Sequence, residues 1–390
     1  MPRRLRIVVT GGLGAMPFAG VAWQILHYLE GFRRLGHEVF YVEDSGSWPY
    51  DPEQDTVSDD PQPALRYVER HLARCGLERS WAYRNGVNGE LHGMTERELA
   101  AVLERADLLV NVSGFTVLGE AMARIPVRFY LETDPVLPQI QVAKGERFTI
   151  DLLDAHTHHF TYGENFGGTD CTVPIERYTY FPTRQPVVLD WWEPLGFDVD
   201  RDRPFTTVAS WQQTAKDVEW QGRILTWSKD VQFRPYIDLP SRVRRTLEMS
   251  LAISDDAAVA RLEAAGWRIR SAAALSRNVD AYRDYIRSSA GEFSVAKEQY
   301  ALTRSGWFSD RTVTYLASGR PAVVQDTRFD CALPTGEGLL AFTTPDEAVA
   351  ALEAVNADHE RHARAARRVA EEYLSTHAVL TRMLRHASLA

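Results

Sequence analysis

Ser309-Asp310-Arg311-Thr312-Val313-Thr314-Tyr315-Leu316-Ala317-Ser318-Gly319-Arg320-Pro321-Ala322-Val323-Val324 is the stretch from which the fold is inferred. Ser309 is a residue type that caps helix amino termini, and Gly319 fits the position just after a helix, where the backbone turns left-handed. The stretch therefore predicts a helix that starts at Asp310 and ends before Gly319. The apolar run Ala322–Val324 then predicts a buried strand. A helix followed directly by such a strand is typical of an α/β fold.

The same alternation of helix and strand runs along the rest of the chain. Several strand candidates are apolar over their whole length, as in a parallel sheet covered on both faces. The candidates are Leu5–Thr10, Val39–Val42, Leu108–Val112, Val127–Leu131, Thr157–Thr161, Phe205–Ser210, Arg223–Trp227, Met249–Ile253, Trp267–Arg270, Pro321–Gln325 and Gly338–Phe342. Gly36 is placed to end a helix between the first two, Gly266 is placed to end a helix before Trp267–Arg270, and Thr95-Glu96-Arg97-Glu98 is a capping-box pattern. We predict doubly wound parallel sheets.

The alternation lapses between Phe181 and Pro204, a segment that contains four prolines. Proline removes a backbone donor and fixes φ, so this segment is expected to be a linker. The chain of 390 residues is also long for a single core. We therefore predict two Rossmann-like domains, residues 1–190 and 191–390, that face a cleft. The second ends in helices between about Asp346 and Leu389.

Composition excludes several classes of protein. With 44 Lys+Arg against 53 Asp+Glu the formal charge is −9, which has the wrong sign for a phosphate-backbone binder, so no nucleic-acid partner is expected. No run approaches the ~20 apolar residues of a membrane span, so none is expected. The first apolar run is too short and too β-branched for a signal peptide. Three cysteines without metal-ligand spacing favour a reducing cytoplasm.

A glycine-rich loop, Gly11-Gly12-Leu13-Gly14, follows the first strand candidate. Ligands of open α/β sheets bind at the carboxyl ends of strands, so the amides of Gly11, Gly12 and Gly14 are candidates for contact with a donor phosphate. The loop is not the dinucleotide fingerprint, because the spacing G-x-G-x-x-G from Gly12 requires glycine where Pro17 stands. A dehydrogenase is thus disfavoured.

The helix that starts at Asp310 offers a second anion site. An anion there would meet free amides, the helix dipole and the Arg311 guanidinium, which can hold a phosphate with two hydrogen bonds. Ser309 precedes these amides and joins the donor-binding candidates. Asp310 would repel phosphate and suits a ribose or sugar hydroxyl.

Three segments carry a resemblance to a known superfamily. Leu35-Gly36-His37-Glu38-Val39, the run Tyr315–Val324 and Gly336-Glu337-Gly338-Leu339-Leu340 resemble the glycosyltransferases of the GT-B fold. The resemblance implies an acceptor site in the first domain and a nucleotide-sugar donor site in the second. The E-x7-E pattern of retaining members would fall on Gly306 and Thr314, so both carboxylates are missing.

Within that resemblance, three more residues become donor-binding candidates. Asp326 follows a strand and can accept hydrogen bonds from sugar hydroxyls. Lys229 and Lys297 also follow strand candidates, and either can neutralise a departing diphosphate. GT-B enzymes usually supply this charge from the protein, so no metal and no cofactor beyond the donor are expected.

An inverting transfer needs a base for the acceptor proton. Asp134 is the first candidate and Glu164 the second, because both are acids at strand ends beside Pro or Gly turns; Asp44 also closes a strand. Gly11–Gly14 with Trp48, Tyr50 and Phe115 would shape the acceptor cleft.

Three metal-like patterns are disfavoured. His156 and His158 share a strand face from which His159 points away, and the D-x-D at Asp200 and Asp202 lies in the proline-rich linker. Glu132-x-Asp134 is better located, at a strand end, but is expected to serve another purpose.

The sequence thus predicts a metal-independent, hexosyltransferase-type glycosyltransferase. It would move sugar from a nucleoside-diphosphate sugar to a small-molecule or lipid-like acceptor. Two alternatives stay open: a nucleotide-sugar epimerase of the same fold, and a catalytically silent nucleotide-sugar-binding protein.

Overall fold

Two separate sheets form from the apolar runs in a computed structural model, which describes residues 3–390. In the first half of the chain the elements are β1 Arg6–Thr10, α1 Ala19–Arg34, β2 Glu38–Glu43, β3 Tyr50–Asp51, β4 Thr56–Val57, α2 Gln62–Leu72, β5 Trp81–Arg84, β6 Leu91–Gly93, α3 Glu96–Arg105, β7 Leu108–Val112, α4 Glu120–Ala123, β8 Val127–Glu132, α5 Leu137–Ala143, α6 Arg147–Asp154, β9 His158–Thr161 and β10 Tyr180–Pro182.

The second half continues the alternation of strands and helices. Its elements are β11 Phe205–Ser210, β12 Val218–Trp220, β13 Arg223–Leu225, α7 Lys229–Phe233, β14 Leu247–Ala252, α8 Asp256–Ala264, β15 Arg268–Ser271, α9 Ala273–Arg277, α10 Val279–Ser288, β16 Gly291–Ser294, α11 Glu298–Thr303, α12 Asp310–Ala317, β17 Ala322–Gln325, β18 Leu339–Phe342, α13 Pro345–Ala357, α14 His359–Val369, a π-helical turn Ala370–Leu374 and α15 Thr376–His386. Within residues 3–390, none of the helices is both long and apolar enough to span a membrane.

The first sheet has the order β10-β9-β8-β7-β1-β2-β5-β6, and the second has the order β15-β14-β11-β16-β17-β18. All neighbouring strands are parallel except β5 and β6, which are antiparallel. In both sheets the first strand of the domain lies in the interior, so helices cover both faces. This arrangement confirms the prediction of two Rossmann-like, doubly wound parallel sheets.

Local signals predicted several helix ends. Thr95 caps α3 with the full capping box, in which its side chain accepts from the Glu98 amide and Glu98 accepts from the Thr95 amide. Gly36, Gly266 and Gly319 have φ of 91°, 96° and 63°, the left-handed conformation expected after a helix.

Two strand assignments need correction. Arg223–Trp227 was expected as a sheet strand, but β13 pairs with β12 in a separate antiparallel hairpin. The start of the expected linker, Tyr180–Pro182, joins the first sheet as β10 beside β9. An edge position tolerates Pro182, because its missing amide can face away from the neighbouring strand.

The last helix returns to the first domain. Val187 donates to the carbonyl of Leu374 at 2.8 Å and accepts from the amide of Thr376 at 3.1 Å, so the linker and the chain end cross side by side. Helix α15 then packs on α1, where a Cβ on Gly31 would lie 2.5 Å from Leu380 Cδ1. The boundary at residue 190 stays a prediction; the two sheets lie on either side of it.

Candidate active site

The carboxyl ends of the two sheets meet at a cleft of about 520 Å³. Most of its wall comes from the loops that follow β1, β7 and β8 and from the first turns of α1 and α5. The second domain contributes Lys216, Trp227 and Asp310. Binding at strand carboxyl ends is the general rule for such sheets, so this cleft is the candidate active site.

The amino terminus of α12 faces this cleft, as expected. Asp310 is the first residue of the helix and lines the cleft, and burial raises the pKa of its carboxyl. Its Oδ1 accepts from the Arg311 amide at 2.8 Å, while the Ser309 side chain makes no cap to the helix. Just before the helix, Trp307 Nε1 donates to the carbonyl of Thr133 at 3.0 Å, which attaches this loop to the first domain.

The guanidinium of Arg311 points into the second domain. It donates to Glu292 Oε1 at 2.8 Å, to the carbonyl of Val208 at 2.7 Å and to Ser294 Oγ at 2.8 Å. Glu292 is fully buried, so its carboxylate depends on this arginine for compensation. The predicted two-bond contact of Arg311 with a phosphate would require it to leave these partners, and this geometry does not favour it.

The two predicted lysines lie at different depths. Lys229 is buried, with Nζ 3.2 Å from Ser294 Oγ, and burial together with the nearby Arg311 holds its pKa well below the usual range. Lys297 Nζ lies 3.2 Å from the centroid of the Trp227 ring, and burial lowers its pKa to about 8. The ring face attracts this ammonium, and because the ring is neutral it does not cancel the positive charge as a carboxylate would.

A third lysine, which the sequence reasoning missed, completes this group. Lys216 Nζ lies 4.6 Å from the same Trp227 ring centroid and 4.0 Å from Asp134 Oδ2. Lys216 precedes and Trp227 follows the β12–β13 hairpin, of which Arg223–Trp227 was expected to be a strand of the sheet. Two short runs with apolar residues, Val218–Trp220 and Arg223–Leu225, flank the two-residue turn Gln221-Gly222. This pattern could have predicted a hairpin from the sequence.

Asp134 lies in the cleft, where it was expected. Its Oδ1 accepts a hydrogen bond of 2.7 Å from Tyr300 of the second domain. The turn that follows holds Val136 at φ 86°, a conformation that β-branched residues rarely adopt, and the Val136 amide donates to Gln139 Oε1 at 2.7 Å. Backbone strain of this kind concentrates at functional sites.

Glu132, two residues earlier, also lines the cleft; the sequence pointed to it only through a disfavoured metal-like pattern with Asp134. Burial raises the pKa of Glu132 to about 8, so it is protonated at neutral pH. Its oxygens accept from Gln139 at 2.7 Å and from Thr161 at 2.6 Å. Glu132 therefore supports the strained turn that carries Asp134, and a protonated acid is a poor base.

Glu164 does not line the cleft. Its Oε2 accepts from Arg184 at 2.5 Å, and Arg382 of α15 lies 3.9 Å away. The side chains of Glu164 and Arg184 are each 3% exposed, so they form a buried ion pair. The structure thus separates the two predicted bases and leaves Asp134 as the one that lines the cleft.

The glycine-rich loop binds a carboxylate of its own chain. The amides of Gly14 and Ala15 each donate to Glu43 at 2.8 Å. Burial raises the pKa of Glu43, the last residue of β2, to about 7. The Gly14 amide is therefore occupied by Glu43 and does not offer itself to a donor phosphate, while contact of Gly11 and Gly12 with the donor stays a prediction.

Phe115 is the aromatic residue of the predicted acceptor group that lines the cleft. Gly12 also lines the cleft, and its lack of a side chain leaves room for the Phe115 ring. A Cβ on Gly12 would lie 2.7 Å from that ring. The other two predicted aromatics are not part of the lining: Trp48 is 52% exposed, and Tyr50 packs on Phe18 with 5.4 Å between ring centroids.

Asp326 lies beside the donor-side loop but holds a turn. Its Oδ1 accepts from the Arg328 amide at 2.7 Å, and Arg304 is 4.0 Å away. A role in binding sugar hydroxyls stays a prediction.

The histidine cluster forms no metal site. His156 bonds to Asn111 at 3.2 Å, while His159 bonds to the carbonyl of Leu153 at 2.9 Å. Over residues 3–390, no group of three His, Cys, Asp or Glu is placed to hold a metal ion. Metal independence itself stays a prediction.

Comparison with solved structures agrees with this architecture. HepE from Anabaena, in complex with UDP and glucose, superposes with a TM-score of 0.57 at 11% identity, over 99% of this chain and 100% of HepE. AviGT4, a glycosyltransferase involved in avilamycin A biosynthesis, has a TM-score of 0.52 at 13% identity, over 98% and 96% of the two chains. The chain has the GT-B fold. No protein-family model and no curated protein sequence matches it.

A third GT-B structure corrects one expectation. The alpha-glucosyltransferase in complex with UDP and a 13-mer DNA has a TM-score of 0.53 at 10% identity, over 99% of each chain. The exclusion of a nucleic-acid partner from net charge was therefore wrong for this fold. Net charge describes the whole chain, whereas a ligand responds to the potential of the surface it meets.

Proposed function

We propose that this protein is a glycosyltransferase that moves a sugar from a nucleoside-diphosphate sugar to the hydroxyl of an acceptor in the interdomain cleft. The observation that carries the proposal is the pairing across the cleft of the Asp134 carboxylate with a cationic group on the second domain. Lys216 and Lys297 flank Trp227 there, and α12 directs its amino terminus to the same space.

The donor would lie on the second domain, with its diphosphate near Lys216 and Lys297, which lie beside the same Trp227 ring. These groups are suited to the negative charge that grows on the diphosphate as it leaves. They would supply the charge from the protein, without a metal. UDP is the nucleotide in the HepE and alpha-glucosyltransferase complexes, so a UDP-sugar is the first donor to test.

The acceptor would lie on the first domain with its hydroxyl at Asp134. The hydroxyl oxygen forms a bond to the anomeric carbon while the bond from that carbon to the diphosphate oxygen breaks. Asp134 takes the hydroxyl proton, and the nucleoside diphosphate leaves. A single displacement inverts the anomeric centre, so the product configuration checks this role. A hexosyl donor and a cytoplasmic location are further parts of the proposal.

Two measurements test the proposal. Thermal shift with UDP, GDP, TDP and ADP should identify one nucleotide that raises the melting temperature, because ligands that bind the native state stabilise it. Asp134→Asn should then abolish transfer while it leaves the Kd of that nucleotide unchanged, and Asp59→Asn, at an exposed site, serves as the matched control.

Other outcomes would contradict the proposal. Exchange of solvent deuterium into the donor sugar without any acceptor indicates the epimerase. Tight nucleotide binding without turnover, unaffected by Asp134→Asn, indicates a binding protein. If none of the four nucleotides binds, the donor site is wrong.

A further inference from the structure

The two sides of the cleft differ in chemistry. On the first-domain side the lining is largely apolar and comes from three elements: Val21 and Ile25 of α1, Val112 and Phe115 at the end of β7, and Leu137 and Pro138 of α5. These side chains form a continuous surface, because β1, β7 and β8 are neighbours in the sheet.

Polar groups on this side cluster around Ser113. Its Oγ lies 2.8 Å from Thr133 Oγ1 and donates to Gln24 Oε1 of α1 at 3.3 Å, and Asp134 follows Thr133 directly. Ser113 has φ 60°, so the loop holds a non-glycine residue in the left-handed region to place this hydroxyl beside Thr133.

The charged residues of the lining also limit which ligands suit the first-domain side. Among residues 3–390 that line the cleft, Lys216 of the second domain is the one basic residue, and the first domain contributes the acids Glu132 and Asp134. A ligand that lies on the first-domain side therefore meets apolar carbon and carboxyl groups, without a cation from that domain.

We infer that the acceptor has an uncharged, apolar body that carries a hydroxyl at one end. The body lies against Phe115 and the apolar surface of α1, and the hydroxyl reaches the polar cluster at Asp134. Burial of apolar area supplies the affinity, and the aromatic ring favours a planar ring system. This inference deepens the proposed function and rests on it.

The test compares three probes of different chemistry on the whole protein. They are 2-naphthol, methyl β-glucoside and a 13-mer DNA duplex that carries a hydroxymethylated base. Calorimetry gives the Kd of each in the presence of UDP, and transfer from UDP-glucose gives kcat/KM. Binding and transfer are measured separately, so that failure of the acceptor to bind can be distinguished from failure of the protein to transfer sugar.

We expect 2-naphthol to bind most tightly and to be the best acceptor. Phe115→Ala should weaken its binding about tenfold, the loss of about 1.4 kcal/mol of ring contact, and should raise KM for this acceptor alone. Val117→Ala is the matched control on the same loop, since Val117 is 59% exposed and lies outside the cleft lining. It should change the Kd less than twofold.

Preference for methyl β-glucoside or for the duplex would overturn the inference, and so would unchanged naphthol binding in Phe115→Ala. Failure of UDP to bind, or of any sugar to move, would count against the proposed function instead. In that case the naphthol Kd values of the two variants still decide whether the first-domain side binds an apolar ligand.

Discussion

Lys297 gives a pH-dependent prediction for donor binding. Its pKa is lowered to about 8 by burial, with Lys216 and Arg311 acting in the same direction and Asp134 and Asp310 opposing them. A group with a lowered pKa loses its proton as pH rises through about 8. If the ammonium contacts the donor diphosphate, affinity for the donor must fall above that pH.

The magnitude follows from the titration curve. At pH 9, one unit above the pKa, about one molecule in eleven keeps the proton on Lys297, so the Kd of UDP-glucose should be about tenfold weaker than at pH 7. Isothermal titration calorimetry at half-unit steps from pH 6.5 to 9 measures this decline. Titrations in buffers of different ionisation enthalpy should also show proton uptake on binding near pH 8.5.

Lys297→Arg is the control, because an arginine stays protonated throughout this range. Its Kd should be nearly constant with pH, whereas Lys297→Gln should bind weakly at every pH. Any decline that persists in Lys297→Arg would report another group, such as the buried Lys229 or the donor base. A flat profile for the unchanged protein, or equal declines in the unchanged protein and Lys297→Arg, would refute a contact between Lys297 and the diphosphate.

Three further predictions concern the residues around the cleft. Glu164→Gln should lose about 3 kcal/mol of unfolding free energy in urea, because it leaves Arg184 without a buried counter-charge, yet kcat per folded molecule should not change; a large fall in kcat would restore Glu164 as a base. The pKa of Glu132 is raised by burial from 4.5 to about 8, so the stability tied to its protonation is present below 4.5 and is lost as pH rises through 8. Glu132→Gln should therefore gain stability relative to the unchanged protein between pH 5 and pH 9 in urea titrations, and a constant difference would contradict the assigned pKa. Gly12→Ala should cost about 1–3 kcal/mol, since its methyl group would displace the Phe115 ring, and should raise the acceptor KM while the donor Kd is unchanged; wild-type acceptor kinetics would show that the ring adapts freely.

Local sequence signals predicted most of the architecture. Thr95 and Glu98 specify a helix start through hydrogen bonds within one turn, and Gly36, Gly266 and Gly319 specify helix ends through their own backbone freedom. Such signals involve residues a few positions apart, so they act in the same way wherever the segment lies in the fold.

The site was predicted less completely because its charged groups have distant partners. Arg311 was expected to face a phosphate, but Glu292, 19 residues earlier in the chain, takes its guanidinium. The Gly14 amide was expected to bind a phosphate, but it donates instead to the carboxyl group of Glu43, 29 residues later. In both cases the chemistry was predicted correctly and the partner was not.

By itself, the sequence determined the alternation of helix and strand, the two parallel sheets and the position of Asp134 at the end of a strand. Apolar periodicity and capping residues suffice for these features, because they depend on neighbours in the chain. The tertiary structure alone decided where the cations lie: Lys216 and Trp227, on either side of a hairpin, line the cleft, Lys297 lies over the Trp227 ring, and Arg311 bonds to the buried Glu292. A charged side chain adopts the position where burial and its counter-charges balance, and that balance exists only once segments far apart in sequence are packed together.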